Sequence, residues 1–246
     1  MASRNPEMLS VVCPVYNEAD NIERLMSRLS AEVSVPMEVL IVYDFDDDNT
    51  IPVVQKIAGQ YPFGIKLLKN KLGSGALNAL KTGFSESHGE AALVVMADLS
   101  DDFSIVNEMY RLINAKGFDI VCGSRYMPGG KQIGGPVLKK FISRSIGLSL
   151  HYLTGIPTRD VTNSFKMYRL PFLQGIKIES TGGFEVGMEL VIKAFTKGAR
   201  ITELPSAWSD RTAGQSRFRM WKWAPYYFRW YLYAFKSLWS RKRSAA

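Results

Sequence analysis

Cysteine and histidine are nearly absent, with two of each in 246 residues. Cys13 and Cys122 each lie inside an apolar run, too few and too hidden for a disulfide-stapled scaffold. They predict buried free thiols and a reducing compartment. His88 and His151 stand alone, without the spacing of a zinc site, and carry no assigned role. Met1–Met8 is polar and lacks the apolar core of a secretory signal, so none is expected. The first apolar run continues as Cys13-Pro14-Val15-Tyr16-Asn17-Glu18, with no glycine, which excludes the dinucleotide-binding fingerprint at that turn. No internal repeat or low-complexity segment is present.

Acidic residues are missing from one region. Residues 211–246 hold nine of the 31 basic residues and no Asp or Glu, leaving 22 basic against 23 acidic in residues 1–210. The net charge of +8 therefore belongs to the C-terminal tail, and points to an anionic partner of the tail.

What is there alternates. Leu9–Val15, Met37–Tyr43, Ile65–Leu68, Ala91–Ala97 and Ile120–Ser124 predict strands. Between them Ile22, Leu25, Met26, Leu29 and Val33 recur at helical spacing. Further helices are expected through Val53, Val54 and Ile57 (capped by Asn49 or Thr50), up to Gly83, and over Ile105–Asn114. The run Asp44-Phe45-Asp46-Asp47-Asp48 is too acidic to pack and reads as a loop at a strand end. Residues 125–137, rich in Gly and Pro, predict a mobile loop. After it come a helix over Leu138–Leu153 with Lys139, Lys140 and Arg144, a polar turn from Val161 into a strand ending near Arg169, a helix over Phe184–Phe195, a strand over Ala199–Leu204, and a polar loop Ser209–Arg217. Such alternation gives an α/β class with a mostly parallel central sheet and helices on both faces.

One stretch carries chemistry. Val94-Val95-Met96-Ala97-Asp98-Leu99-Ser100-Asp101-Asp102 is a buried-strand pattern ending in carboxylates. Ligands of open α/β sheets bind at the carboxyl ends of strands. Carboxylates there suit an oxygen-ligated divalent cation, Mg²⁺ or Mn²⁺. Asp98 is the expected ligand and Asp102 the expected cap of the next helix.

Several motifs stand in a recognisable order: Pro14-Val15-Tyr16-Asn17-Glu18, Asp44 with Thr50 after it, Asp98-Leu99, Gly123-Ser124-Arg125-Tyr126, and Ile142-Ser143-Arg144. Later, Pro205, Trp208, Arg211, Gly214 and Ser216 fit P-x-x-W/F-x-x-R-x-x-G-x-S. Over about residues 9–217 the chain resembles family-2 glycosyltransferases, most of all the branch acting on dolichyl and bacterial polyprenyl phosphates. The resemblance implies a single-domain Rossmann-like nucleotide-sugar transferase fold over residues 1–217. It implies inverting transfer of a sugar from GDP-mannose or a UDP-hexose to a polyprenyl or dolichyl phosphate. Pro14, Tyr16 and Glu18 would contact base and ribose, and Asp44 the base. Asp98 would hold the cation on the donor diphosphate, Arg125, Arg144 and Ser145 the acceptor phosphate, and Arg211 and Ser216 the donor diphosphate. Asp98 and Arg211 would be the catalytic pair. Where the family writes D-x-D this chain has Met96-Ala97-Asp98, and Tyr43-Asp44-Phe45-Asp46 replaces D-D-G-S. Asp101 is the candidate for the missing ligand.

Residues 218–246 form a basic, aromatic, amphipathic tail. Trp221, Trp223, Tyr226, Tyr227, Phe228, Trp230, Tyr231, Tyr233, Phe235 and Trp239 are interleaved with Arg219, Lys222, Arg229 and Lys236. Pro225, Arg229 and Lys236 interrupt every window of about 20 residues that a spanning helix needs. The tail is expected to lie on the cytoplasmic face of a membrane, or else to meet a membrane-protein partner or a second copy. No nucleic-acid partner is expected, since its aromatics are too many and too apolar for a phosphate-binding arm. Two other functions fit the pattern: a transferase with a saccharide acceptor, using Glu185 or Glu189 as base, and a non-catalytic nucleotide-sugar-binding protein.

Overall fold

The computed structural model describes residues 7–210 and 220–244. In chain order its elements are β1 (Leu9–Pro14), α1 (Ala19–Glu32), β2 (Met37–Tyr43), α2 (Thr50–Ile57), β3 (Gly64–Lys69), α3 (Ala76–Ser85), β4 (Ala91–Val94), a 3₁₀ turn (Phe103–Ile105) running into α4 (Val106–Asn114), and β5 (Ile120–Ser124). There follow β6 (Lys131–Ile133), α5 (Val137–Thr154), β7 (Lys166–Arg169), α6 (Leu170–Gln174), α7 (Val186–Thr196), β8 (Ile201–Pro205), β9 (Ala207–Ser209) and α8 (Met220–Ser244).

Seven strands form the main sheet in the order β3-β2-β1-β4-β7-β5-β8, and β6 pairs with β9 in a small second sheet. All main-sheet pairs are parallel except those of β7, which runs antiparallel between β4 and β5. Strand side chains alternate between two cores. Leu9, Val11 and Cys13 of β1 join Val39, Ile41 and Leu93 under α1, α2 and α4. On the other face Val12, Leu40, Val42, Val94 and Cys122 meet α3, α5, α6, α7 and α8. A sheet buried on both faces reads as continuous apolar strands, which is how these segments read.

Two expectations are corrected and a third is refined. The strand expected over Ala91–Ala97 ends at Val94: the N–H of Val95 still donates to Val12 O, but that of Met96 turns to Asp101 Oδ2 and leaves the ladder. Residues 125–137 are not all loop, because Lys131–Ile133 finds a parallel partner in Ala207–Ser209, a contact too distant in sequence for local reading. Asn49 holds the N-cap position of α2, as expected, but its side chain makes no capping bond to that helix. The side chain of Asp48 accepts from the Thr50 N–H, at 2.9 Å.

The tail helix α8 is half packed. Trp230 and Ala234 belong to the second core, and Tyr227, Tyr231 and Phe235 lie against it. Trp230 Nε1 donates to Ser180 Oγ at 3.0 Å, and Tyr231 OH bonds Ser149 Oγ of α5 at 3.1 Å. Phe228, Leu232 and Tyr233 face outward. No helix among the described residues is long and apolar enough to cross a membrane.

Candidate active site

Parallel strands deliver their C-terminal ends to one edge of the sheet, and Pro14, Asp44, Asp98 and Arg125 stand at or just after the ends of β1, β2, β4 and β5. Pro14 ends β1 and is buried. The chain then passes through Asn17 in the left-handed region (φ 55°) into α1. The first backbone donors of a helix have no partner within it, and here the loop after β2 supplies them. Asp48 takes the Asn17 N–H on both oxygens (3.1 Å each), Thr50 Oγ1 takes that of Glu18 (2.9 Å), and Asn49 Oδ1 that of Ala19 (3.2 Å). The Asn49 N–H donates back to Asn17 Oδ1 at 3.2 Å. Asp48 is 1 % exposed, so the acidic run does pack through this one residue. Its only signal in the sequence is its place two residues before the start of α2.

Above this interlock Tyr16, 40 % exposed, meets Phe45 edge-on with ring centroids 5.0 Å apart. Glu18 accepts from Asn21 Nδ2 at 2.7 Å. Asp44 accepts from Asn70 Nδ2 on one oxygen and from the Gly75 N–H on the other, both at 2.8 Å. Asn70, not singled out by the sequence, also donates to Gly73 O and accepts from Leu72 N and Thr82 Oγ1, so it organises the loop before α3.

The acid turn follows β4. Leu99 has φ 61°, a strained value for a side chain branched beyond Cβ. It is held on both sides: Asp98 Oδ1 takes the N–H and Oγ of Ser100 (3.2 and 2.6 Å), while Arg28 Nη1 donates to Leu99 O and Asp101 O. Arg28 is itself fixed by Glu32 and lies 4.5 Å above the Phe103 ring. Asp102 is the cap expected, taking the Ser104 N–H, and its second oxygen takes the Ala207 N–H at 3.1 Å. Asp101 is buried. Burial, then the neighbouring Asp98, push its carboxyl up to about 7.

After β5 stands Arg125, whose side chain is 9 % exposed and faces Asp160, fully buried. Nε donates to Oδ2 at 2.7 Å and Nη2 to Oδ1 at 2.8 Å, with Thr162 Oγ1 at 3.2 Å. Burial alone would lower the pKa of Arg125, but the charge and hydrogen bonds of Asp160 outweigh it and raise it. The same pairing holds the Asp160 carboxyl below its usual range against burial. Tyr126 OH bonds Ser143 Oγ of α5 and Gln132 Oε1, tying the start of α5 to the end of β5. Arg144 and Ser145 lie exposed on the next turn of α5, and Arg144 is close enough to favour the Tyr126 phenolate. The charges of Arg125 and Asp101 also act on each other, so acid turn and arginine share one field.

Arg211 and Ser216 lie outside the described residues. The segment leading to them is anchored on the acid turn, since the Ser209 N–H donates to Ser100 O at 3.1 Å. Glu185 and Glu189, the bases a saccharide acceptor would need, are both buried and engaged. Glu185 takes the N–H groups of Gly182 and Gly183; Glu189 takes those of Glu179 and Ser180 and pairs with Lys193. This corrects the expectation that either is available as a base.

A divalent cation fits, on a limited set of protein ligands. No group of three His, Cys, Asp or Glu residues able to hold a metal occurs among the described residues. The buried Asp101 carboxylate takes one backbone hydrogen bond, from Met96, and faces the Asp98 charge. Carboxylate oxygens of this kind would suit Mg²⁺ or Mn²⁺, which take one or two carboxylates and complete their shell with substrate phosphates and water.

Residues 10–176 match the sequence model of glycosyl transferase family 2. The dolichol-phosphate mannosyltransferase of Pyrococcus furiosus is 30 % identical over 216 residues, 86 % of this chain. The chain spans 59 % of that relative's length. The undecaprenyl-phosphate mannosyltransferase of Micrococcus luteus is 29 % identical over 84 % of this chain and 85 % of its own length. Among solved structures, the glucosyl-3-phosphoglycerate synthase of Mycobacterium tuberculosis, crystallised with Mn²⁺, UDP and phosphoglyceric acid, superposes with a TM-score of 0.66 at 15 % identity, covering 94 % of this chain and 78 % of that one. That likeness is one of fold.

Proposed function

The chain belongs to glycosyl transferase family 2, and from that premise we propose that it is an inverting hexosyltransferase moving a sugar from a nucleotide-sugar, GDP-mannose or a UDP-hexose, to a polyprenyl or dolichyl phosphate. One observation carries the reading: the acid turn after β4 and the arginine after β5 stand at the same edge of one sheet, close enough for their charges to interact. The names of the relatives support a lipid-phosphate acceptor.

In this reading Tyr16 and Phe45 give the base an aromatic face, with Pro14, Glu18 and Asp44 around base and ribose. Asp98, with Asp101, would hold Mg²⁺ or Mn²⁺, which when bound neutralises charge on the leaving diphosphate. Arg211 and Ser216 add contacts to that diphosphate. Arg125, Arg144 and Ser145 orient the acceptor phosphate, a task for which a planar guanidinium suits better than an ammonium. A phosphate oxygen, already anionic, forms the new bond to the anomeric carbon while the bond to the diphosphate breaks on the opposite face. The nucleoside diphosphate leaves with the electron pair, and the configuration inverts. No proton has to be removed from the nucleophile, consistent with the engagement of Glu185 and Glu189 elsewhere.

Two further parts of the reading concern place. The outer side of the tail, residues 218–246, would meet the membrane, and the two buried free thiols support its cytoplasmic face. The test is a thermal-shift panel of GDP-mannose, UDP-glucose and UDP-N-acetylglucosamine with Mn²⁺, followed by transfer of the stabilising sugar to a short-chain polyprenyl phosphate. A donor at 100 times its Kd stabilises by about 2.7 kcal/mol. Stabilisation by none, or transfer only to soluble saccharides, refutes the proposal.

A further inference from the structure

The two arginines assigned to the acceptor phosphate come from separate elements. Arg125 follows β5, and its guanidinium is pinned by Asp160. Arg144 is exposed on α5, so its place depends on how that helix is held. Packing does not hold the start of it. Of the 18 residues of α5 only Gly147, Leu150 and Thr154 are buried, all beyond Arg144 in the chain. Polar bonds have to fix the first turns instead.

Those bonds converge on Tyr126, which is 8 % exposed. Its ring lies under the Arg125 guanidinium, with Cζ 4.8 Å from the ring centroid. Its hydroxyl bonds Ser143 Oγ, on the residue before Arg144, and Gln132 Oε1 at 3.0 Å. A phenol has one proton, so when Tyr126 donates to Gln132 it accepts from Ser143. Lys140 Nζ, one turn before Arg144, donates to Gln132 O at 3.2 Å and closes a circuit of contacts from the end of β5 through β6 to α5. Burial raises the Tyr126 pKa, while the charges of Arg125 and Arg144 both act to lower it, so both guanidinium groups lie within reach of one phenol. A ring that only filled space would need none of these ties.

We propose that Tyr126 is a positioning residue for the acceptor: its ring supports Arg125, its hydroxyl holds α5 at Ser143, and together they set the span across which Arg125 and Arg144 grip one phosphate. The hydroxyl acts through Arg144 and touches neither donor nor acceptor. A phosphate met by two guanidinium groups already at the right spacing binds without the cost of ordering them. Without the hydroxyl the start of α5 swings, and Arg144 loses its register against Arg125. The inference rests on the acceptor site of the proposed function and deepens it, by naming what spaces its two cations.

The experiment measures binding of citronellyl phosphate, a soluble isoprenyl phosphate, to the full chain by titration calorimetry, together with acceptor and donor KM in transfer. Wild type is compared with Tyr126→Phe, Arg144→Ala and the double variant. Tyr126→Phe keeps the ring, so its melting temperature should stay within about 3 °C of wild type, the scale of one hydrogen bond. Its Kd and KM for the isoprenyl phosphate should rise about tenfold, with the donor KM constant. In the Arg144→Ala background the same substitution should change the Kd by less than about twofold, because a residue acting through Arg144 has nothing left to position. Four results overturn the proposal: an unchanged Kd in Tyr126→Phe, a donor KM that rises in step, the full factor in both backgrounds, or no binding of citronellyl phosphate by wild type. If wild type binds the phosphate but transfers no sugar to it, the transferase reading falls, while the binding comparison still decides the role of Tyr126.

Discussion

Arg125 meets Asp160 edge to edge, with two parallel N–H to oxygen bonds of 2.7 and 2.8 Å and the Arg125 backbone N–H adding a third to the same carboxylate at 3.0 Å. Nη1 makes no hydrogen bond among the described residues. The pair fixes the direction of the guanidinium before any ligand arrives, and preorganised groups of this kind lose little on binding.

Replacing Asp160 with Asn leaves the shape and removes the charge, stranding a buried guanidinium. Breaking such a pair costs about 3–5 kcal/mol. Urea denaturation at pH 7 should show a loss of that size for Asp160→Asn; a loss under about 1 kcal/mol would mean that the pair is solvated.

Asp98→Asn should keep the fold, because Asn still accepts from Ser100, and lower turnover about a hundredfold or more with either Mg²⁺ or Mn²⁺. Normal kcat in the variant would remove Asp98 from the site.

Arg144 is exposed, so Arg144→Ala should leave the melting temperature unchanged. Its effect is expected in one place: a KM for the lipid phosphate raised roughly tenfold or more, the loss of one charge-assisted contact, with the donor KM constant. Parallel increases in both would place Arg144 elsewhere in the cycle.

Asp101 gives a pH signature. Its carboxyl titrates near 7 in the folded protein, raised by burial and by Asp98, against about 3.9 in an unfolded chain. Between those values the folded state holds a proton that the unfolded state has released, so stability falls as pH rises through the window, and the whole penalty is present above 7. Metal-free wild type should therefore lose more melting temperature from pH 5 to pH 8 than Asp101→Asn, by at least about 3 °C, the shift that roughly 1 kcal/mol gives at this size. Mn²⁺ at pH 8 should narrow the gap. Identical pH profiles would rule out the coupling.

Gly147 faces the loop that carries Asp160. A Cβ there would collide with the carbonyl oxygen of Arg159. Gly147→Ala should push α5 off that loop and cost about 1–3 kcal/mol, as overpacking does, despite alanine's better helix propensity. A gain in thermal stability would show that the helices have room to shift.

Much of this architecture was legible, for physical reasons. Strands buried on both faces leave unbroken apolar runs, and Met37–Tyr43 and Ile120–Ser124 have the bounds the sequence predicts. Asp102 as a cap was readable because caps are local. What failed was non-local. Nothing near Lys131 announces a partner at Ala207, and nothing near Asp48 says that its carboxylate reaches back to Asn17. The carboxylates of Glu185 and Glu189 look free until the loop over Glu179–Gly183 folds its N–H groups onto them. The tail's aromatic content is plain in the sequence, but composition does not say which face of a helix meets a core. Residues 222–237 settle that through Trp230 and Ala234.

The two cysteines sit on opposite faces of the same sheet, both fully buried, and burial pushes Cys13 well above the usual thiol range and Cys122 up to about 12. At neutral pH neither is a thiolate, so neither is a nucleophile while the fold is closed. The native chain is therefore silent towards maleimides, and one cysteine introduced at an exposed position such as Phe141 becomes a unique chemical handle for a fluorophore or spin label. Labelling at Cys13 and Cys122, when it does occur, clocks the opening of each core separately.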